Sequence, residues 1–444
     1  MNHSKFFRRT LVSSLILSVL PNLVNAAGFA LIETNARGQG NAYAGAAAHT
    51  PDASTIFFNP AGMMNLEGDQ LVVASHIISP KSSFNNKGSV NATSVGGGAI
   101  GGNSDDGGFD AFVPNLYWVK GLSDEMKFGL GVNSPFGLAI KYDDDWVGRY
   151  HAVVSDLKII NMNPSIAYKV SDQLSIGGGL DFMIADVTLS SAIDFAAVLG
   201  QTPGTGDGFV ELTGDNFDDI AVGFNFGLLY NLNESTTFGL SYRAEVDIEV
   251  EGDANFTVPA SAALVVVGGQ FVDTGLAASI TLPSSFSLSV SHQQDRITYL
   301  ADITLTGWSS FDELRIEFDN TLQADGVTTE GWEDSMRYSV GVDFQYTDEL
   351  VLRAGLALDE TPVPSAERRT PRLPGSDRTW VSFGMSYKMD EEMSIDVGYS
   401  HLMIDDAEVN NELESESSDN VKATLIGTYE ASVDIVSVQL NWNY

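Results

Sequence analysis

Apolar and polar residues alternate with a period of two along most of this chain. At the C-terminus Val436, Val438, Leu440, Trp442 and Tyr444 interleave with Ser437, Gln439, Asn441 and Asn443. Val222, Phe224, Phe226, Leu228 and Tyr230 interleave with Gly223, Asn225, Gly227 and Asn231, and Phe286, Leu288 and Val290 alternate with serines. Successive side chains of a strand point to opposite faces, so each run predicts a strand with one apolar and one polar face. Alternation or strand-like composition predicts fourteen strands, at about 70–80, 111–122, 126–140, 153–170, 173–190, 218–232, 236–251, 279–293, 297–310, 332–346, 349–360, 377–389, 393–405 and 422–444.

The connections decide how these strands are arranged. Ser123-Asp124, Ser171-Asp172, Asn233-Glu234, Gln294-Asp295, Thr347-Asp348 and Asp390-Glu391 are tight turns. The intervening connections at 81–110, 141–152, 191–217, 252–278, 311–331, 361–376 and 406–421 are long. Strict short and long alternation over an even strand count is the pattern of a transmembrane β-barrel with tight periplasmic turns and long outer loops. A soluble sandwich has no reason to sort loop length by face. The expected fold is therefore all-β, a fourteen-stranded antiparallel transmembrane barrel over 70–444. Its aliphatic and aromatic face meets lipid, its Gly/Ser/Asn face lines the lumen, and Tyr444 joins the interfacial girdle.

Two segments precede the barrel. Lys5, Arg8 and Arg9, the apolar run 11–20 and Val24-Asn25-Ala26 have the make-up of a signal peptide over 1–26, cleaved after Ala26. Residues 27–69 do not alternate: 35–48 is rich in Gly and Ala, and Ile56-Phe57-Phe58-Asn59-Pro60-Ala61-Gly62 follows. Small residues allow close packing in a confined lumen, so this segment is expected to plug the barrel. A loose periplasmic tail would leave Phe57, Phe58, Met63 and Met64 in water.

Composition narrows the function. No run after residue 26 approaches the roughly 18 apolar residues of a membrane helix. There is no cysteine, and so no disulfide or thiolate metal site. With 59 acidic and 23 basic residues, a formal charge of −36, the chain lacks the basic footprint of a nucleic-acid binder. Ser75-His76, Ser291-His292 and Ser400-His401 point to opposite faces of their strands and form no nucleophile–base pair, so no enzyme is expected. No nucleotide-binding motif indicates an energy source, and no cofactor or metal is implied. Acidic runs at Asp143-Asp144-Asp145 and 412–419 read as a solvated outer rim, with divalent-cation bridging of lipopolysaccharide phosphates the alternative.

An ordered set of motifs then resembles the FadL family of outer-membrane transporters for hydrophobic compounds. It comprises Ala27-Gly28-Phe29, Asn59-Pro60-Ala61, Ser134-Pro135-Phe136-Gly137-Leu138, Trp146-Val147-Gly148-Arg149-Tyr150 and the stretch from Trp332 to Arg337. Pro362-Val363-Pro364, Leu373-Pro374 and Asp377-Arg378 complete it. The resemblance spans essentially the whole mature chain. It implies a fourteen-stranded barrel, an N-terminal hatch, an outer groove built by two long loops, and a kinked third strand that lets substrate leave sideways into the outer leaflet. The hatch and gate would then involve Asn59, Pro60, Ala61, Pro135, Phe136 and Gly137. Pro135 and Gly137 break the strand pattern where a kink or bulge is expected.

An apolar cargo needs apolar surface above the membrane, where loops are ordinarily polar. Residues 191–217 and 252–278 supply it, which nominates Phe195, Val198, Leu199, Phe256, Leu264, Val266 and Phe271 as groove residues. Fatty-acid-binding members place a basic lumen residue in the fifth strand and another before the Asp of the Trp332–Arg337 motif; alignment puts Asp186 and Glu333 there. Arg149, Lys158, Arg243 and Arg337 are the substitute carboxylate partners, unless the ligand is an uncharged hydrocarbon of the toluene type. The expected function is uptake of long-chain fatty acids or related apolar molecules by a monomer seated among outer-membrane lipid and lipopolysaccharide. A hydrated porin would need an unplugged bore, and an adhesin would need β-rich outer loops that these loop lengths do not suggest. In planar bilayers the carrier should show no large, steady ion current; a porin would.

Overall fold

The computed structural model describes residues 28–91, 98–202, 204–414 and 423–444. The signal peptide, Ala27 and the acidic run 415–419 lie outside the described residues. The described residues form twenty strands in sequence order: β1 Gln70–Asn86, β2 Ala111–Ser123, β3 Met126–Lys141, β4 Val154–Lys169, β5 Leu174–Asp194, β6 Asp207–Asp215 and β7 Ala221–Asn233. Then follow β8 Thr236–Arg243, β9 Val246–Thr257, β10 Thr274–Leu282, β11 Ser285–Gln294, β12 Ile297–Thr306, β13 Glu313–Phe318 and β14 Gly326–Thr329. The last six are β15 Ser335–Gln345, β16 Leu350–Asp359, β17 Arg378–Lys388, β18 Met393–Ile404, β19 Ala407–Glu412 and β20 Thr424–Asn443.

Fourteen of these close a barrel. Antiparallel ladders run β1–β2–β3–β4–β5–β7–β8–β11–β12–β15–β16–β17–β18–β20, and β20 returns to β1 from Gln70↔Asn443 to Asn86↔Gly427. Closure of β20 onto β1 leaves no terminal strand with an open edge to lipid, where an unpaired amide is costly. The alternation read from the sequence sets the faces: on β20 Ser437, Gln439 and Asn441 are buried inward while Val436, Val438, Leu440 and Trp442 are exposed outward. At the periplasmic end Trp118 Nε1 donates to the Tyr444 hydroxyl (2.8 Å) within an aromatic rim.

The outer side differs from expectation. The predicted strand 236–251 is two strands, broken at Ala244-Glu245, and 279–293 is broken at Pro283-Ser284. Alternation persists through both breaks because the chain stays extended while changing layers; Pro283, which has no amide to donate, ends the ladder. The long connections are not irregular loops. They build a sheet above the wall in the order β5–β6–β9–β10–β13–β14, with β5 running from the membrane into it. The loop-length argument against an adhesin therefore does not hold, since these outer segments are rich in strand.

Residues 28–69 contact the inner wall around its circumference. Ala36 N donates to Gln439 Oε1 of β20 (3.0 Å), Asn41 Nδ2 to Asp343 Oδ1 of β15 (3.0 Å) and Ala47 N to Ser289 Oγ of β11 (3.1 Å). Arg37 pairs with Asp396 of β18 (3.2 Å). Asn59 caps a 3₁₀ turn at Pro60–Asn65 by accepting from Ala61 N (3.1 Å), and its Nδ2 donates to Ala47 O (2.7 Å) and to Leu228 O of β7 (3.0 Å). This approach depends on Gly227, where a Cβ would fall 1.9 Å from Asn59 Oδ1. Gly227→Leu should leave the barrel assembled by heat-modifiable gel mobility. It should loosen residues 28–69 by about 1–3 kcal/mol, as overpacking does, which limited proteolysis would detect as new cleavage in that segment.

Candidate functional site

The wall is incomplete between β2 and β3. Their ladder climbs from the turn to Leu116↔Val132 and stops. Above it, Ala111–Asn115 remains paired with β1, and β3 remains paired with β4 across a register shift between Asn133 and Phe136. The shift falls at Ser134-Pro135, as the sequence predicts, because proline cannot donate to the ladder and a bulge absorbs it. The vacated edge is met from inside by the N-terminal segment. Leu31 N donates to Pro135 O (2.8 Å), Gly137 N donates to Phe29 O (3.0 Å), and Ala30 bridges Phe136. A Cβ at Gly137 would lie 2.9 Å from Leu31 Cδ1, so a larger residue there would press against this short added strand. Higher up, Lys141 N donates to Gly107 O (3.1 Å) and Gly108 bridges Ile140, closing the top of the opening.

Phe29 sits in an aromatic box. Its ring lies 4.8 Å from Trp308, 5.7 Å from Phe311, and 5.9 Å from both Trp332 and Phe136. The box separates two cavities. An outer one of about 100 Å³ is lined by Phe29, by Leu138, Leu157, Leu189, Leu212 and Leu276 among other apolar side chains, and by two ionisable groups, Glu330 and Arg372. An inner one of about 200 Å³ lies in the lumen against Phe136 and Trp308, Phe57 and Phe58, and its ionisable lining is Arg243, Arg337 and Arg378 with Glu33, Asp302 and Asp359.

The polar groups of the outer cavity are held by its rim. Glu330 Oε2 accepts from Trp332 Nε1 (2.9 Å), and burial raises its carboxyl to about 7 against the pull of Trp332 and Arg372. Arg372 Nη1 donates to Val154 O (3.0 Å) and Ser155 Oγ (2.9 Å); burial lowers it to about 10, with Glu330 opposing. Sequence reasoning missed both residues, and also Trp308 and Phe311. The available signals were the loss of alternation at Gly307-Trp308-Ser309 and an arginine directly before Leu373-Pro374.

The proposed carboxylate partners separate into different environments. Arg149 is saturated by Asp207 (2.8 Å), Gly101 O (2.6 Å), Trp146 O (3.1 Å) and the Tyr150 hydroxyl (2.9 Å), so it pins outer loops and faces neither cavity. Lys158 points off the outer face of β4, 64% exposed and paired with Asp156 (2.7 Å), because its neighbours Leu157 and Ile159 take the inward positions. Arg243 lines the inner cavity but is paired with Asp181, donates to Phe57 O (2.9 Å) and stacks on the Phe57 ring. Arg337 differs. It donates Nη2 to Ala42 O (2.8 Å) and stacks on Trp380, while its Nε and Nη1 are buried without a hydrogen-bond partner among the described residues. Asp186 and Glu333 are both exposed and line neither cavity, so the expected repulsion of a bound anion by these carboxylates does not arise.

Of the nominated groove residues, Phe195, Leu199, Phe256, Leu264, Val266 and Phe271 do not line the outer cavity, and the Val198 side chain lies outside the described ones. Phe195, Phe256 and Phe271 form an edge-to-face aromatic cluster (5.0 and 5.9 Å from Phe271) beyond it, Val198 and Leu199 belong to or cap the helical turn Phe195–Val198, and Leu264 and Val266 sit on the turn Ala263–Val267. The apolar lining comes instead from inward faces of β3–β6, β9, β10 and β13. Among the described residues no group of three or more metal-ligating side chains is poised to hold a cation.

A closed barrel with an inserted N-terminal segment and an almost wholly apolar outer cavity suits a transporter of hydrophobic compounds. The description "Outer membrane protein transport protein (OMPP1/FadL/TodX)" matches residues 17–444, and the chain belongs to this family of outer-membrane proteins that transport hydrophobic compounds. It is 29% identical to outer membrane protein P1 of Haemophilus influenzae, over 99% of this chain and all of that one. It is 28% identical to the long-chain fatty acid transport protein of an Escherichia coli O6:H1 strain, over 89% and 92% of the two chains. The fold is shared with a FadL homologue of Pseudomonas aeruginosa, at a TM-score of 0.86 and 24% identity over 94% of this chain and 99% of that one.

Burial pushes the Glu330 carboxyl up to about 7 in the folded state, from about 4.5 for a glutamate in water. Between those values the folded state holds a proton that the unfolded state releases, so stability falls as pH rises across the window and is level above it. Glu330→Gln still accepts from Trp332 and lacks this dependence. Its melting temperature should match the parent's at pH 4 and exceed it at pH 8, by the equivalent of about 1.4 kcal/mol per pH unit crossed.

Proposed function

We propose that this chain takes up long-chain fatty acids. The acid binds in the outer apolar cavity, passes the Phe29 box into the inner cavity, and leaves through the flank between β2 and β3 into the outer leaflet. Residues 28–69 act as the hatch, with Asn59, Pro60 and Ala61 as its anchor and Pro135, Phe136 and Gly137 as the gate. The observation that carries this reading is the pairing of Phe29 and Leu31 with β3 where β2 has withdrawn. One short strand thereby stoppers the bore and fills the wall, so moving it connects the inner cavity to lipid. A hydrocarbon tail gains nothing from a hydrated channel, and roughly 25 cal/mol per Å² favours each apolar surface it meets on this path.

An acid rather than a plain hydrocarbon is supported by two arginines. Arg372 is the cation of the outer cavity, and Arg337 presents buried, unpartnered donors at the inner one. A carboxylate would satisfy donors that an uncharged ligand leaves unmet. The second reading, uptake of uncharged aromatic hydrocarbons by the same route, is favoured by the scarcity of charge in the outer cavity. We take each copy to work alone, surrounded by lipid and lipopolysaccharide, a reading supported by a wall that borrows no strand from another chain.

Two measurements test this. Deleting Asn59, Pro60 and Ala61, or replacing Ser134 and Pro135 so that β3 pairs throughout with β2, should abolish oleate uptake while the barrel still assembles; unchanged uptake in both variants would refute the gate. Arg337→Met should weaken oleate binding to the purified protein by about tenfold or more, as loss of a charge-assisted pair does, and leave toluene binding unchanged. Equal binding of oleate by both proteins would favour the hydrocarbon reading.

A further inference from the structure

Buried charges fasten residues 28–69 to the wall near the periplasmic end of the lumen. Arg37 Nε lies 3.2 Å from Asp396 of β18 and 3.5 Å from Asp52. Arg353 of β16 extends this chain of contacts, with Nη1 3.5 Å from Asp396 and Nε 3.0 Å from Asp343 of β15. His49 Nε2 ends it, 3.5 Å from the same Asp343 oxygen. Neutral neighbours join in: Asn41 Nδ2 donates to Asp343 Oδ1 (3.0 Å), Gln439 Nε2 to Asp52 Oδ2 (3.1 Å), and Arg353 Nη1 to Ser386 Oγ (2.6 Å). Asp343 stands two residues before the end of β15, and Arg353 and Asp396 each three residues after their strands begin, close to the periplasmic turns.

These charges do not balance by themselves. The carboxylates of Asp52, Asp343 and Asp396 face only the two guanidiniums of Arg37 and Arg353, and the five side chains are between 0% and 15% exposed. Excess charge held away from water is costly. An imidazolium at His49 supplies the missing positive charge, whereas a neutral imidazole leaves one negative charge over. His49 is the most open member of the cluster, 26% exposed. It borders a cavity of about 30 Å³ whose other titratable lining is Arg37, Tyr43 and Asp52. Asp302 of the neighbouring β12 is engaged elsewhere, by Ser289 and by Thr304 Oγ1 (2.8 Å).

We propose that His49 is a proton-operated latch. As an imidazolium it completes the charge cluster and fastens residues 37–52 to β15, β16 and β18; as a neutral imidazole it lets them loosen. The fastened state favours the charged ring, so the stabilisation is full while His49 carries its proton. It is lost as pH rises through the range of about 5 to 8 in which histidine ordinarily changes charge. Residues 29–31, which pair with β3, lie just upstream of Arg37, so the latch holds the root of that short strand. It operates with or without cargo, independently of the uptake route proposed above.

The test is amide hydrogen exchange of the full chain in nanodiscs at about pH 5.5 and about pH 8, either side of an ordinary histidine titration, corrected for the intrinsic rate. Peptides spanning 36–52 report the latch, and peptides of the β20–β1 ladder report the wall. In the parent, protection of 36–52 should fall about fivefold or more at the higher pH, the lower end of usual coupling between linked sites, with the wall unchanged. His49→Gln, which cannot charge, should show the weaker protection at both pH values. His49→Lys, charged throughout, should show the stronger at both. Heat-modifiable mobility verifies each barrel. Equal protection of the parent at both pH values overturns the proposal. So does a His49→Gln variant that keeps the parent's pH dependence, which would put the proton on a carboxylate, or a His49→Lys variant that behaves as His49→Gln does.

Discussion

An amide at membrane depth has no water to bond, so each must find a carbonyl within the protein. That constraint organises this molecule. The β20–β1 ladder satisfies it by closing the wall, and at the one stretch where β2 withdraws from β3 the chain's own residues 29–31 supply the missing partners. The N-terminal segment is therefore bonded into the wall as well as packed in the lumen. Displacing residues 29–31 would leave donors and acceptors on β3 without partners, a cost that holds the segment in place.

Polarity is then distributed by depth. Below the aromatic box the lumen is rich in buried charge and amide groups, and these tie residues 28–69 to strands around the whole barrel. Above it the outer sheet presents an apolar inner face with Glu330 and Arg372 as its ionisable lining. Phe29 stands at the border, the third residue after the expected cleavage site. Its ring makes four aromatic contacts there.

The fourteen wall strands were legible because lipid outside and polar lumen inside impose a period of two, and the Pro135 bulge was legible because proline cannot serve a ladder. The outer sheet was not. Its strands Val246–Thr257 and Thr274–Leu282 alternate as wall strands do, so periodicity cannot tell which layer they join. Side-chain parity explains the misplaced cations: Lys158 lies between two inward residues and must face out, and a one-residue error in alignment reverses that assignment. The groove was misplaced for a related reason. Apolar content in 191–217 and 252–278 is visible in sequence, but which of those residues turn towards the barrel depends on pairing between strands far apart in the chain. Arg372 and Glu330 converge only through that tertiary arrangement.

β5 runs unbroken from Leu174 to Asp194, forming the wall with β4 and β7 and the outer sheet with β6. The chamber above the membrane therefore inherits its angle and stiffness from the cylinder beneath it. Its remaining walls, β6, β9, β10 and β13, belong to the long outer connections. One side of the chamber is thus fixed by the barrel, while the others can be recast by changes in those connections as well as by substitution of single inward side chains.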